Sequence, residues 1–262
     1  MRSRPKHTSL IQNPHLDGAP FFWHGGPVGI LLFHGFATTT SEVRLLARFL
    51  HGQGYTVAAP LLPGHGTTPQ EMNRCCWQEW AEAGTRAYRE LSAVCKQVFV
   101  GGESLGGLLA LYTAIVHPEV TGVLTYAPAL LLTSRTRSVW ARLLAPFVPI
   151  SKKPPSRPSH ADAYWQGYTV RPVHAAAELL RLQHEVRTHL PEISQPLLVV
   201  QGRLDRTVSP QIPALLSCES GAPWVEVHWM ADSGHCVLLD SEWEQVARLS
   251  QAFIERRVAR CN

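Results

Sequence analysis

The chain has 262 residues and a formal net charge of +4, with 45% hydrophobic and 17% charged residues. This composition is that of a soluble globular protein, and the length is enough for one sizeable core in one domain. Two small basic clusters lack the aromatic or glycine-rich pattern of nucleic-acid recognition, so we interpret them as solvated surface: Lys152, Lys153 and Arg157, and Arg256, Arg257 and Arg260.

Short apolar runs alternate with helical patterns along the chain, which predicts an α/β fold with a mostly parallel central sheet flanked by helices. The predicted strands, in chain order, are Phe21–His24, Ile30–Phe33, Tyr55–Ala59, Gln97–Val100, Val120–Thr125, Leu197–Gln201 and Val225–Trp229. The predicted helices include Val43–Leu50, Trp77–Val94, Pro210–Ser217 and Glu242–Val258. Thr39 and Glu42 have the spacing of a capping box that opens the first of these helices.

The segment between residues 131 and 190 interrupts this alternation. No strand pattern appears from Leu131 to Pro191, several prolines punctuate the segment, and Ala175–Leu190 has a helical pattern. A disordered linker is the alternative, but this segment carries more aromatic residues than such a linker does: Trp140, Phe147, Tyr164, Trp165 and Tyr168. We therefore predict a lid-like cap at residues 131–190, on a core formed by residues 1–130 and 191–262.

The stretch from Val98 to Gly107 predicts a nucleophile elbow. An apolar run ends in Gly-x-Ser-x-Gly around Ser104, and leucines at helical spacing follow it. Such a turn strains the serine backbone, and side chains at positions 102 and 106 would collide with it, so we interpret both glycines as a steric requirement. The pentapeptide alone occurs by chance in about one chain in ten of this length. The assignment therefore needs a base, an acid and a second oxyanion donor elsewhere in the chain.

Asp205 and His235 are the candidate acid and base. Each lies in the loop that leaves a predicted strand, so both point at the same rim of the sheet as Ser104. The chain order of serine, aspartate and histidine is that of α/β folds with a Ser-His-Asp triad. We predict that Ser104 is the nucleophile, that His235 takes its proton and that Asp205 holds the imidazole. Asp232 and Asp240 are too close in sequence to approach the ring from its far side, and we interpret Asp232 as a residue that shapes the loop.

The second oxyanion donor is predicted after the Ile30 strand, in the turn His34-Gly35-Phe36. The N–H groups of Phe36 and Leu105 would together bind the oxyanion, while His34 braces the turn. The stretch from His24 to Pro27 looks like the oxyanion motif of proline-releasing aminopeptidases. It precedes the Ile30 strand instead of following it, so we interpret it as a hairpin turn.

Nothing in the sequence indicates secretion, membrane insertion or a metal site. Residues Met1–Pro20 have no apolar core, and the longest nearly apolar stretch, Val120–Leu132, is too short to span a bilayer. The six cysteines lack metal or redox spacing, and no histidine pair has ligand spacing, so we predict free thiols and no cofactor. We expect a cytoplasmic protein, a monomer or a homodimer, without a nucleic-acid partner.

Five motifs, in order, resemble those of bacterial carboxylesterases and monoacylglycerol lipases of the α/β-hydrolase superfamily. They are His34-Gly35-Phe36, Gly64-His65-Gly66, Gly102-Glu103-Ser104-Leu105-Gly106, Gly202-Arg203-Leu204-Asp205 and Ser233-Gly234-His235. The resemblance runs from about Gly29 to Phe253 and is weakest over Ala145–Trp165. It implies the α/β-hydrolase fold with a helical cap, the triad and oxyanion residues named above, and cofactor-free hydrolysis. The implied substrates are small-molecule esters with short to medium acyl chains, or monoacylglycerols.

Other activities share this scaffold. A carbon–carbon bond hydrolase or a perhydrolase could use the same triad, and a ligand-binding receptor with slow turnover could keep the fold. A dehalogenase or an epoxide hydrolase is disfavoured because it needs an aspartate in place of Ser104. For a peptidase, we identify neither a correctly placed donor motif nor an acidic anchor for an N-terminal amine.

Overall fold

The computed structural model describes residues 10–133, 149–153 and 158–259, and these form an open, mostly parallel sheet covered by helices. The strands of this main sheet are β2 (Phe21–Trp23), β3 (Val28–Phe33), β4 (Thr56–Ala59), β5 (Gln97–Glu103), β6 (Gly122–Tyr126), β10 (Leu197–Gly202) and β11 (Val225–Met230). Their spatial order is β11-β10-β6-β5-β3-β4-β2, and β2 alone in this sheet runs antiparallel to its neighbour. Each corresponds to a predicted strand, and the predicted α/β-hydrolase fold is confirmed.

The helices lie on both faces of the sheet. They are α1 (Arg44–Gly52), α2 (Pro69–Met72), α3 (Trp77–Ser92), α4 (Leu105–Val116), α5 (Val173–Thr188), α6 (Ile212–Glu219) and α7 (Trp243–Val258). Helices α3 and α4 pack on one face, where α5 joins the same apolar cluster through Leu179 and Leu182. Helices α1 and α7 pack together on the other face. The inner part of the sheet is therefore buried on both sides, which explains why its inner strands are mostly apolar runs.

The predicted hairpin turn from His24 to Pro27 is wrong. Strand β2 pairs with β4, and β4 lies between β2 and β3. The stretch instead crosses the amino end of β4, where the Gly26 N–H donates to Gly54 O at 2.6 Å. A Cβ at Gly25 would lie 2.4 Å from Tyr55 O, so this close crossing requires glycine.

The expectation of no strand between Leu131 and Pro191 is also wrong. The described residues of this segment contain three short strands, β7 (Ile150–Lys152), β8 (Gly167–Tyr168) and β9 (Val170–Pro172). Strand β7 pairs with β9, and β8 pairs with the N-terminal strand β1 (Ile11–Gln12). Strands of two or three residues are too short to show alternation in the sequence. Trp140 and Phe147 of the predicted cap lie outside the described residues, and the division at residues 131 and 190 stays a prediction.

Two further features are the apolar character of the helices and the state of the cysteines. In the described parts of the chain, no helix combines the length and the apolar character needed to cross a bilayer. Cys75, Cys76, Cys95, Cys218 and Cys236 have free thiols, as predicted, and Cys261 lies outside the described residues.

Candidate active site

Ser104 lies at the tight turn between β5 and α4. Its backbone has φ 56° and ψ −110°, a strained conformation for a residue with a side chain. The Ser104 N–H donates to Tyr126 O at 2.9 Å, and the Ser104 carbonyl accepts from the Ala129 N–H at 3.0 Å. These two hydrogen bonds, to the last residue of β6 and to the segment that follows it, hold the strained turn in place.

The two glycines of the elbow are required by close backbone approach, as predicted. A Cβ at position 106 would lie 2.0 Å from Phe33 O, and a Cβ at position 102 would lie 2.5 Å from Gly106 O. Both contacts involve backbone atoms, which cannot rotate away as a side chain can. The elbow therefore packs directly against the end of β3.

The structure brings Ser104, His235 and Asp205 together in one hydrogen-bonded chain. His235 Nε2 lies 2.9 Å from Ser104 Oγ, and His235 Nδ1 lies 2.8 Å from Asp205 Oδ2. The other oxygen of Asp205 accepts the N–H groups of Thr207 at 2.7 Å and Val208 at 3.1 Å. The Asp205 side chain is 1% exposed and the His235 side chain 20%. The three side chains come from loops that follow β5, β10 and β11.

The pKa values of the acid and the base are shifted apart. Burial raises the pKa of Asp205, but the His235 ring and the two backbone N–H groups outweigh it, so the net pKa is below its usual value. Burial lowers the pKa of His235, but Asp205 and then Glu42 raise it, so the net pKa is above 6.5. The arrangement stabilises the ion pair that forms when His235 accepts a proton.

His34 holds the turn that carries Phe36. Its Nδ1–H donates to Gly35 O at 3.0 Å, and its Nε2 accepts the Leu62 N–H at 3.1 Å. Full burial lowers the pKa of His34 to about 4, against the smaller opposing effect of Gly35 O, so the ring is neutral near pH 7. Among the described residues, no hydrogen bond uses the N–H of Phe36 or of Leu105. Both N–H groups are therefore available to a bound oxyanion.

The loop that carries His235 is shaped by acids other than the one interpreted from sequence. Asp240 Oδ2 accepts the Gly234 N–H at 2.8 Å, and Glu242 accepts the N–H groups of Ala231 and Asp232. The Asp232 side chain is exposed. Asp240 and Glu242 thus fix the loop, and the interpretation of Asp232 as the shaping residue is wrong.

In the predicted capping box, the role of Thr39 as an N-cap is correct and that of Glu42 is wrong. Thr39 is the N-cap of a 3₁₀ turn (Thr40–Val43), where its side chain accepts the Ser41 N–H. The Glu42 carboxylate instead accepts the Gly35 N–H. Glu42 therefore stabilises the turn that carries Phe36, a contact that the sequence spacing did not indicate.

Two further buried groups near the site were missed. Glu103 follows Gly102 at the end of β5 and is completely buried, and its position after an apolar run was a usable signal. Lys153, interpreted as solvated surface, instead lies with its Nζ 4.4 Å from the centroid of the Trp165 ring. Among the other residues of the two basic clusters, Arg256 pairs with Glu226. Arg157 and Arg260 lie outside the described residues.

One group of potential metal donors comes together in the described part of the chain. An oxygen of Glu42, an oxygen of Glu103 and Sγ of Cys236 lie within 4.8 Å of one another. Burial raises the pKa of the Cys236 thiol well above its usual value, so it stays protonated near pH 7. A protonated thiol is a poor metal ligand.

A hydrogen-bonded serine, histidine and aspartate at the carboxyl ends of a parallel sheet is the arrangement of serine hydrolases with the α/β-hydrolase fold. The model of the Hydrolase_4 family, described as serine aminopeptidase S33, matches residues 28–242. Because this match spans most of the chain, the protein belongs to the Hydrolase_4 family.

Relatives and solved structures agree with an enzyme of this kind. The chain is 30% identical to a thermostable monoacylglycerol lipase of Bacillus sp. (strain H-257), over 94% of this chain and 98% of that relative. It is 27% identical to a carboxylesterase of Bacillus subtilis (strain 168), over 90% and 96% of the two chains. A structure described for the metagenome-derived lipolytic enzymes LipS and LipT has a TM-score of 0.85 and 30% identity, over 91% of this chain and 98% of that chain. The predicted resemblance to α/β-hydrolase esterases is confirmed.

Proposed function

We propose that Ser104, His235 and Asp205 are the catalytic triad of a carboxylic ester hydrolase. The observation that carries the proposal is the unbroken hydrogen-bonded chain from Ser104 Oγ through both ring nitrogens of His235 to Asp205. A serine hydroxyl is a weak nucleophile near pH 7 and needs such a base to become reactive.

In this mechanism, Ser104 Oγ attacks the ester carbonyl while His235 Nε2 takes its proton. Asp205 holds the ring with Nδ1 protonated and stabilises the imidazolium. The N–H groups of Phe36 and Leu105 bind the oxyanion of the tetrahedral intermediate, aided by the positive end of α4. His235 returns the proton to the leaving alcohol. A water activated in the same way then releases the acid and frees Ser104.

The substrates are esters of short to medium acyl chains, or monoacylglycerols. The names of the Bacillus relatives, a monoacylglycerol lipase and a carboxylesterase, support carboxylic esters and monoacylglycerols as substrates. The description of the family raises aminopeptidase activity as a second candidate, which needs a carboxylate that meets the N-terminal amine of a peptide. Glu42 and Glu103, whose charges act on residues of the triad, are 3% and 0% exposed. They offer no such anchor, and ester hydrolysis is favoured.

The proposal extends to the surroundings of the site. Residues 131–190 form a cap that selects the acyl group, which is supported by the contacts of Gln166 and Gly167 with the loop after Phe36. The substrate is a small molecule, and the enzyme acts in the cytoplasm as a monomer or a homodimer without a nucleic-acid partner.

Ser104→Ala tests the assignment of the nucleophile. We expect turnover of p-nitrophenyl esters to fall by roughly 10⁴–10⁶-fold, because the remaining site only binds and polarises the ester. Labelling by a fluorophosphonate should disappear, and the circular dichroism spectrum should not change. Ser92→Ala, on the exposed end of α3, is the matched control and should keep full turnover. Undiminished turnover by Ser104→Ala would refute the triad.

A rate profile over p-nitrophenyl esters from acetate to palmitate, with a monoacylglycerol alongside, tests the substrate class. The proposal requires the highest kcat/KM for short to medium chains or the monoacylglycerol. Preference for long triglycerides with activation at an oil–water interface would contradict it.

A further inference from the structure

Two buried carboxyl groups lie side by side beneath the proposed triad. Glu42 is 3% exposed and Glu103 is 0% exposed, and an oxygen of each lies within 4.8 Å of the other. Within the described residues, neither forms a salt bridge with an arginine or a lysine. Two like charges this close in a medium of low dielectric do not both ionise near pH 7.

Glu42 binds the turn that carries one oxyanion donor. Its carboxylate accepts the Gly35 N–H, and Gly35 directly precedes Phe36. A backbone N–H donates to a carboxylate oxygen, so this contact favours the ionised form of Glu42. The neighbouring Trp165 side chain acts in the same direction, because it lowers the pKa of Glu42.

Glu103 binds the loop that carries the proposed base. Its Oε1 accepts the Leu238 N–H at 3.1 Å, and Leu238 lies three residues after His235. Its Oε2 is buried and has no hydrogen-bond partner among the described residues. A charged carboxylate oxygen in that position would be uncompensated, whereas protonation of Glu103 removes the charge. The contacts of Glu103 therefore favour its neutral form.

We propose, on the basis of the triad proposed above, that Glu42 and Glu103 are positioning residues that share one proton and link the oxyanion turn to the histidine loop. The proton resides on Oε2 of Glu103, and the negative charge resides on Glu42. The pair thereby fixes the position of Phe36 relative to His235, and it leaves one negative charge near the imidazole of His235.

The electrostatics of the pair agree with this division. Burial raises the pKa of Glu42 to about 7, against the opposing effects of the Gly35 N–H and the His235 ring. Burial, and next the charge of Glu42, raise the pKa of Glu103 well above its usual value. The titratable groups that face the pair are His235 and Cys236 of the histidine loop, Asp205, Tyr126 of β6, and Lys153 beside Trp165.

The charge on Glu42 has a defined effect on the base. It is one of the groups that raise the pKa of His235. His235 accepts the serine proton only when neutral, so turnover falls as pH drops through this pKa. Removing the charge of Glu42 lowers the pKa of His235 and moves the acid limb of the rate profile to lower pH.

The variants Glu42→Gln and Glu103→Gln separate the role of the charged carboxylate, Glu42, from that of the protonated carboxyl group, Glu103. Both variants keep an oxygen that accepts a backbone N–H, but only Glu42→Gln removes the proposed charge. We expect the acid limb of kcat/KM to move to lower pH in Glu42→Gln. In Glu103→Gln it should superimpose on that of the wild type, with kcat within about threefold, because the amide mimics a neutral carboxyl group. Glu90→Gln, an exposed acid on α3, is the control and should match the wild type.

Glu42→Ala tests the positioning of the oxyanion turn. It removes the acceptor of the Gly35 N–H, and we expect kcat to fall about 10²-fold with KM changed by less than about threefold, the size of effect seen for a displaced oxyanion donor. A profile of Glu42→Gln that superimposes on the wild type, or an equal shift in Glu103→Gln, would overturn the proposal.

Infrared spectroscopy tests the shared proton without a change at Glu42. The wild type should show the C=O stretch of a protonated carboxyl group at pH 7 and above, and Glu103→Gln should lose the part of this band that persists above the pKa of Glu42, about 7. Absence of this band from the folded wild type would refute the shared proton even if Glu42→Gln does not fold. A wrong assignment of the triad would give a different result, because the wild type would then show neither ester turnover nor fluorophosphonate labelling.

Discussion

Backbone strain at single residues is concentrated around Ser104. Among the described residues, Ala37 and Ala127 also have positive φ values, of 60° and 41°. Asn13 in the N-terminal segment has a φ of 49°, a conformation that asparagine adopts more readily than alanine. Ala37 follows Phe36, and Ala127 follows the strand end that binds the Ser104 N–H. Such conformations each cost about 1–3 kcal/mol and persist where the surrounding structure enforces them. The surrounding structure therefore fixes the proposed nucleophile and the proposed oxyanion turn before substrate binds.

Asp205→Asn removes the charge that pairs with His235 while keeping the shape of the side chain. We expect kcat/KM to fall by about 10³–10⁴-fold, because the amide can hold the ring in the wrong tautomer and no longer stabilises the imidazolium. Steady-state kinetics with a p-nitrophenyl ester measure the loss. Asp232→Asn is the matched control, since Asp232 is an exposed aspartate in the same loop as His235. Equal losses in both variants would show that Asp205 has no special role.

At the scale of elements, the elbow depends on contact between β3 and the start of α4. Gly106→Ala would place a Cβ 2.0 Å from Phe33 O, and neither backbone can yield without moving the strand or the helix. We expect a loss of about 1–3 kcal/mol or more in the free energy of unfolding, and a lower kcat because Ser104 and the Leu105 N–H shift together. Urea denaturation and ester kinetics measure these two effects.

Gly52→Ala is the control for this substitution. Position 52 ends α1, and an added Cβ there meets no atom within 4 Å. We expect the free energy of unfolding to stay equal or to rise by up to about 1 kcal/mol. If Gly106→Ala behaved in the same way, the elbow would not be as tightly packed as the contact with Phe33 indicates.

The sequence predicted the main sheet well because each of its inner strands is buried on both faces and is a continuous apolar run. It did not predict that β2 pairs with β4, because strand neighbours are set by tertiary packing. It missed β7, β8 and β9, since pairs of two or three residues leave no periodic signal. Glu42 has the spacing of a capping box, yet its acceptor role is directed at Gly35.

The candidate site was predictable for a different reason. The carboxyl ends of parallel strands lie at one edge of the sheet. Because Ser104, Asp205 and His235 each follow a predicted strand, the sequence predicted that their side chains lie at that edge. The acids beneath the rim carry no motif of their own. Their positions follow from how the turn after β3 and the loop after β11 pack on each other, which only the structure shows.

At the scale of the whole molecule, Gln166 joins three distant parts of the chain. Its Nε2 donates to Asn13 O at 3.0 Å and to Leu16 O at 2.7 Å. Its Oε1 accepts from Thr39 Oγ1 at 2.7 Å, and its backbone carbonyl accepts from Thr38 Oγ1 at 2.6 Å. The N-terminal segment, the loop after Phe36 and the segment around β8 are thus tied together by one buried side chain.

Gln166→Ala would remove three side-chain hydrogen bonds and leave the Leu16 carbonyl without its donor, while Asn13 O would keep the Leu16 N–H. We expect a loss of at least about 1–3 kcal/mol in the free energy of unfolding, because each lost hydrogen bond contributes about 0.5–1.5 kcal/mol. We also expect a lower kcat, since Thr39 belongs to the loop that continues from Phe36. Gln78→Ala, an exposed glutamine on α3, should change neither quantity. Full kcat together with lost stability would show that Gln166 holds the segments together without positioning the oxyanion turn.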